Sequence, residues 1–317
     1  MRQLQNFSAV FSQMFPGKPK FSTEEIPDLS GRVVIVTGGN VGIGKETIKV
    51  LLEHNAKVYM ATRSEERANV AIKELKQLTK KEAIFLKLDL SSLVSVREAA
   101  RAFLQQENKL HILFNNAGVM WCPHEMISAD GYDMQFATNV MGHYYFTKLL
   151  MPALLAGRDT SPDRHTRVIT TSSSGAYMAT LNFDSLKDGP KRKKVTTETL
   201  YYQSKFANVV VSRQFAKRFG EQGVISISVN PGTVDTELLR HTSPRSRSFM
   251  RATFLMPAPW GALTQLWGGT MPEALKANGE FLIPWAKVGK CRQEAYDDEL
   301  GSKLWKWLEE QVRPYQG

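Results

Sequence analysis

The sequence predicts an α/β fold: one doubly wound parallel sheet of about seven strands, helices on both faces, and a C-terminal lid. Two observations predict it. From Gly31 onward, apolar runs of five or six residues alternate with longer segments of helical periodicity, and this β-α-β-α order places parallel strands side by side under two helical layers. A glycine-rich turn joins the first of those strands to the first helix, and glycine permits the sharp backbone turn needed there.

Taken in order, residues 1–30 with Pro16, Pro19 and Pro27 read as an extension ahead of the domain. A short surface helix through Phe7, Val10, Phe11, Met14 and Phe15 is expected to pack on the protein rather than on a membrane. Buried strands are expected at Val33–Thr37, Lys57–Ala61, Ala83–Leu88, His111–Asn115, Arg167–Ser172 and Val224–Val229. Helical periodicity occupies 42–54, 64–79, 91–107, 133–156 and 199–219. An irregular stretch over 233–257, the lid, precedes a helix at 258–270, a seventh strand at Glu280–Ile283 and a closing helix over 293–312.

At about 150 residues per domain, 317 residues suggest two domains. No second alternation, internal repeat or Pro/Gly/Ser-rich linker supports a division, so residues 31–317 read as one lengthened domain. Hydrophobic residues at 42% and charged residues at 23% exclude a mainly disordered or fibrous chain. The balance of 41 Lys plus Arg against 31 Asp plus Glu gives +10, which favours anionic partners without choosing among them. Five bases and one acid in 187–194, and four arginines without an acid in 240–251, carry most of the excess as a basic rim. Cys122 and Cys291 have no ligand-like spacing, so neither a metal site nor a disulfide framework is indicated. The N-terminal apolar stretch is far shorter than the ~18 residues that span a bilayer. A cytoplasmic protein is expected, with peripheral membrane contact left open.

The first strand runs into Thr37-Gly38-Gly39-Asn40-Val41-Gly42-Ile43-Gly44 and a helix. Such a turn lets the backbone approach a pyrophosphate, whose charge the free N–H groups at the helix start favour. Gly38, Asn40, Gly42, Ile43 and Gly44 are therefore candidate dinucleotide-binding residues of a Rossmann-type fold. The second strand is followed by Arg63, with no carboxylate before Glu65. An arginine there accommodates a 2′-phosphate, whereas an acid holds the ribose hydroxyls, so NADP(H) is favoured over NAD(H). Asp89-Leu90 and Asn116-Ala117-Gly118 close the third and fourth strands and face the same crevice. Ser173 follows the fifth strand, within a triple Ser172-Ser173-Ser174 that leaves the serine open by one position. Tyr201 and Lys205 lie four residues apart, on one helix face. An ammonium beside a phenol favours the phenolate, which suits acid–base work.

Taken together, TGGNVGIG at 37–44, DL at 89–90, NNAG at 115–118, Asn139, SSS at 172–174, YYQSK at 201–205 and PGTVDT at 231–236 resemble the short-chain dehydrogenase/reductase family. DGYDMQFATNVMGHYYFTKLL and NGEFLIPW are most similar to its retinol-dehydrogenase and WW-domain-oxidoreductase-like branch, fungal members included. The resemblance implies strand order 3-2-1-4-5-6-7 and an alcohol–ketone or alcohol–aldehyde interconversion. It implies Tyr201 as acid/base, Lys205 lowering its pKa and binding the nicotinamide ribose, Ser173 holding the substrate oxygen, and Asn139 supporting a water relay. Pro231, Gly232, Val234 and Thr236 would hold the carboxamide side. Homodimers or homotetramers through the helices near 91–107 and 133–156 are also implied.

Two features depart from the family. Ser173 and Tyr201 lie 28 positions apart, against a usual dozen or so, and the added basic stretch 187–194 reads as a solvated loop. The membrane anchor of some branch members is missing from the N-terminal stretch. Trp121, Met126, Phe249, Phe254, Met256 and Trp260 suggest a hydrophobic substrate, terpenoid, polyketide-derived, steroid-like or retinoid. The alternatives are a non-catalytic NADP(H)-binding regulator or scaffold, and the extended epimerase branch, which the TGxxxGxG spacing disfavours. Nucleic-acid binding has no recognised module.

Overall fold

The computed structural model describes residues 2–235, 237–238 and 255–316. Among the described residues, eight strands form one sheet in the order β3-β2-β1-β4-β5-β6-β7-β8. They are β1 Val33–Thr37, β2 Lys57–Thr62, β3 Ile84–Lys87, β4 Ile112–Asn115, β5 Thr166–Thr171, β6 Val224–Val229, β7 Phe281–Ile283 and β8 Lys287–Gly289. The first seven pair in parallel. β8 folds back antiparallel on β7, with Leu282 opposite Val288. The expected count of about seven missed β8 because its three residues are partly or fully exposed and offer no apolar run.

The long helices are α1 Arg2–Met14, α2 Gly42–Glu53, α3 Glu65–Thr79, α4 Leu93–Gln106, α5 Gly142–Arg158, α6 Thr197–Phe219, α7 Ala258–Thr270 and α8 Asp298–Val312. Two apolar layers flank the sheet. One centres on α4, α5, α6 and α8, with Phe103, Tyr144, Phe146 and Phe215 buried. The other joins α2, α3 and α7 through Ile48, Leu51, Leu75 and Leu266. β1 is buried along its whole length, which explains a continuous apolar run in place of an alternating one.

The helix expected over 133–156 is interrupted. Asp133 caps a single turn at Met134–Phe136, a π turn follows over Ala137–Met141, and α5 continues from Gly142. Gly142 lies there because a Cβ would meet the Leu90 carbonyl oxygen at 2.5 Å.

The basic stretch 187–194 is not the solvated loop that its composition suggests. Its lysines are exposed, but Arg192 is 1% exposed and meets Asp133 Oδ2 at 3.2 Å. The same guanidinium donates to the His124 carbonyl and lies 3.3 Å from Asp188. Burial drives the Asp133 carboxyl upward in pKa, while its bonds to Phe136 N and to Arg192 hold it down. A charge count cannot distinguish the single arginine that docks an insertion from the lysines that solvate it. Arg192→Ala strands that carboxylate, and a loss of about 3–5 kcal/mol in unfolding free energy is expected by urea titration; a loss below 1 kcal/mol would refute the anchoring role.

Candidate active site

The C-terminal ends of β1, β2, β3, β4, β5 and β6 open into a cavity of about 650 Å3. One end is the glycine turn. Gly38 takes φ +67°, and a Cβ on it would stand 3.0 Å from Ala117. At Gly44 a Cβ would meet the Gly38 carbonyl oxygen at 2.5 Å and Asn116 Nδ2 at 2.7 Å. Val41, at the start of α2, caps it with no side-chain hydrogen bond, so the first N–H groups are left for an anion. The cradle fits the pyrophosphate of a dinucleotide.

Asn40, Gly42, Ile43, Arg63, Asp89, Leu90, Ala117 and Gly118 all line the cavity, as do Pro231, Gly232 and Val234. Thr236 lies outside the described residues. Thr37 welds the first two walls together. Its Oγ1 accepts from Asn116 N and Ala117 N, each at 2.9 Å, while Asn116 Nδ2 donates to the Thr37 carbonyl at 2.8 Å. Behind them His143, fully buried, lies 2.8 Å from Thr37 Oγ1 and 3.1 Å from the Asn139 carbonyl. The Asn139 carbonyl can only accept, so the ring carries its proton on Nδ1 and Nε2 accepts from the Thr37 hydroxyl, which also lies 3.3 Å from the Phe114 carbonyl. Burial pushes this imidazole down to about 4, which keeps it neutral.

The third wall carries Ser173, Tyr201 and Lys205. Of the three adjacent serines, Ser172 is buried and donates to the Lys205 carbonyl at 2.6 Å. Ser173 lines the cavity and accepts from Gly175 N at 3.1 Å, and its hydroxyl pulls the Tyr201 phenol toward its charged form. Tyr201 and Lys205 lie one turn apart on α6, with Nζ 5.8 Å from the ring centroid. Nζ donates to the Thr171 carbonyl at 3.0 Å, not to the phenol. Burial therefore dominates both groups: it pushes Tyr201 up to about 12, against the pull of Ser173, and Lys205 down to about 7. Lys205 is not among the groups that move the phenol in this arrangement, where its ammonium is bonded to Thr171.

Asn139 does not line the cavity. Its side chain is committed to Val119, by Oδ1 from N at 2.9 Å and Nδ2 to O at 3.0 Å, and to Ser204 Oγ at 3.0 Å. It stands behind Gly118, where a Cβ would lie 3.2 Å from Asn139 Oδ1 and 3.5 Å from Lys205 Nζ.

The short-chain dehydrogenase family model matches residues 32–185 and ends before the basic stretch. A short-chain dehydrogenase/reductase of Armillaria gallica is 58% identical over 310 residues, 98% of this chain and 99% of that one. The chain belongs to the short-chain dehydrogenase/reductase family. Human retinol dehydrogenase 11 is 38% identical over 90% of this chain and 86% of its own, which supports the retinol-dehydrogenase-like branch. An uncharacterized protein of Mycobacterium paratuberculosis has the same fold, with TM-score 0.71 and 24% identity over 92% of this chain and 97% of that one. The Pseudomonas aeruginosa RhlG/NADP active-site complex reaches TM-score 0.63 at 25% identity, over 81% of this chain and 95% of that one. The protein is thus an oxidoreductase of this family with a nucleotide-binding Rossmann fold.

Within this short-chain dehydrogenase/reductase, Arg63 has a neighbour that the sequence reading missed. Arg67, four residues on in α3, also lines the cavity, and its guanidinium holds both Glu237 oxygens at 2.6 and 2.7 Å. The available signal was a second arginine in the first turn of the helix that follows Arg63. The cavity also has an apolar lining of Met120, Trp121, Met126, Met178, Tyr202 and Leu255, of which Met120, Trp121, Tyr202 and Leu255 cluster with Tyr201. Trp260 and Met256 lie elsewhere: Trp260 packs edge-on against Trp285 at 5.6 Å, and Met256 bridges Val234. Phe249 and Phe254, like the arginines of 240–251, are outside the described residues. No described helix is long and apolar enough to cross a membrane.

Proposed function

We propose that the protein is an NADP(H)-dependent reductase or dehydrogenase interconverting an alcohol and a ketone or aldehyde on a hydrophobic small molecule. The observation that carries this reading is the meeting of Ser173, Tyr201 and Lys205 in the same cavity as the glycine cradle. Bound NADPH supplies a hydride to the carbonyl carbon. Ser173 Oγ donates to the substrate oxygen and holds it beside the phenol. Tyr201 then gives its proton to that oxygen as the alkoxide forms, and takes it back in the oxidative direction. Lys205 binds the nicotinamide ribose and restores the phenol proton. Asn139, fixed to Val119 and Ser204, holds the backbone beside Lys205 for a water relay. The filled Ser-Tyr-Lys wall is what disfavours a non-catalytic scaffold.

NADP(H) over NAD(H) is supported by Arg63 and Arg67, which both line the cavity. The ion pair of Arg67 with Glu237 is about half exposed on each side, so it contributes at most about 1 kcal/mol and yields to a 2′-phosphate dianion. The double variant Arg63→Ala/Arg67→Ala is expected to lower kcat/KM for NADPH about 10- to 100-fold and leave NADH within about threefold. Equal losses with both cofactors would sink the assignment.

The apolar lining supports a multi-ring or long-chain substrate of terpenoid, polyketide-derived, steroid-like or retinoid type, in secondary or retinoid-like metabolism. Oxidation of NADPH, followed at 340 nm against a panel of such ketones and aldehydes, tests the reading. Absence of turnover across the panel in the presence of tight NADPH binding would favour the scaffold instead.

A further inference from the structure

α1 reaches the cavity, although no catalytic motif includes it. It packs against the 3-10 turn Ser174–Tyr177 that follows Ser173, and Val10 lines the cavity. Three residues on, Gln13 is 4% exposed and its amide is engaged at both ends. Its Oε1 accepts from Asn230 Nδ2 at 2.8 Å, and its Nε2 donates to Tyr177 Oη at 3.0 Å. Both partners pass the linkage on. Asn230 Oδ1 accepts from Gly232 N at 3.1 Å, in the turn proposed for the cofactor. The Tyr177 hydroxyl donates to the Lys290 carbonyl at 2.5 Å. A second tie follows α1, where Trp285 Nε1 donates to the Gly17 carbonyl at 2.9 Å.

Burying a primary amide is costly unless both its ends are paired, and here the pairs join the serine loop to the Pro231-Gly232 turn. We infer that α1 is a wall of the substrate chamber: Val10 sets how bulky an apolar ketone enters, and Gln13 positions that wall against the serine loop and the cofactor turn. The inference rests on the proposed ketone chemistry and deepens it to selectivity by substrate bulk.

Two readouts test it. In Val10→Trp the ratio of kcat/KM for a tricyclic ketone to that for cyclohexanone is expected to fall at least about tenfold, mainly through KM for the tricyclic ketone. Gln13→Leu is expected to flatten the same ratio and to weaken NADPH several-fold through Asn230. Gln13→Glu, which keeps an acceptor for Asn230, is expected to recover NADPH binding but not the ratio. Binding of the apolar dye 8-anilinonaphthalene-1-sulfonate to the NADP+-saturated protein requires no turnover and is expected to weaken at least about fivefold in Val10→Trp. Ratios within twofold of wild type in Val10→Trp, or an unchanged dye affinity, overturn the inference. If wild-type protein reduces no ketone, the proposed function falls and the dye affinity alone decides the wall.

Discussion

Tyr201→Phe is expected to lower kcat for ketone reduction about 10^2- to 10^4-fold, the range that a positioned acid or base contributes. The change removes one oxygen from a side chain that is 4% exposed and keeps the ring in its packing, so the fold and the glycine cradle are untouched. NADPH affinity, read by fluorescence titration, is expected to stay within about threefold, because acid–base contact is made mainly in the transition state. Wild-type protein adds a pH signature. Burial holds the phenol up at about 12, so alcohol oxidation, which starts from the phenolate, is expected to rise with pH toward that value. A variant retaining more than a tenth of wild-type kcat would remove Tyr201 from the reaction.

Lys205→Met separates activity from stability. Turnover is expected to fall about 10^2- to 10^4-fold, since both proton return and ribose contact are lost. The fold is expected to gain. Burial lowers the amine from its ordinary 10.5 to about 7, so between those values the folded protein binds fewer protons than the unfolded chain and stability rises with pH. Below pH 7 wild type carries the full cost of charging a buried amine; above 10.5 it carries none. Methionine abolishes that cost at every pH, and the Thr171 carbonyl keeps its bond from Asn208 Nδ2 at 3.0 Å. The excess in Tm of the variant is expected to be largest at pH 7 and below and to shrink toward pH 10.5. A variant less stable than wild type at pH 6, by a margin constant with pH, would show that the ammonium is compensated in the fold.

Much of the site was legible because its signals are local. Gly38 is demanded by its φ of +67° and Gly44 by the nearby Gly38 carbonyl oxygen, and Tyr201 and Lys205 share a face because a helix turns every 3.6 residues. Arg63 was readable from its place after a strand. Choosing Ser173 over Ser172 was not a matter of spacing, because Ser172 is disqualified only by the Lys205 carbonyl that its hydroxyl meets. Gln13, His143 and Arg192 were illegible for a related reason: a buried polar side chain is recognised by its partners, and theirs lie 217, 106 and 59 positions away.

The sequence by itself determined the chain order of the first seven strands, the glycine cradle and the Tyr201–Lys205 pair, since each follows from periodicity or from a motif a few residues long. Only the tertiary structure decided which charges are buried, what closes the cavity and how the titrating groups behave. Those properties depend on desolvation and on directional bonds between distant segments. The same lysine that reads as an electrostatic activator in sequence is, once packed in α6 against β5, an amine that burial brings down to about 7.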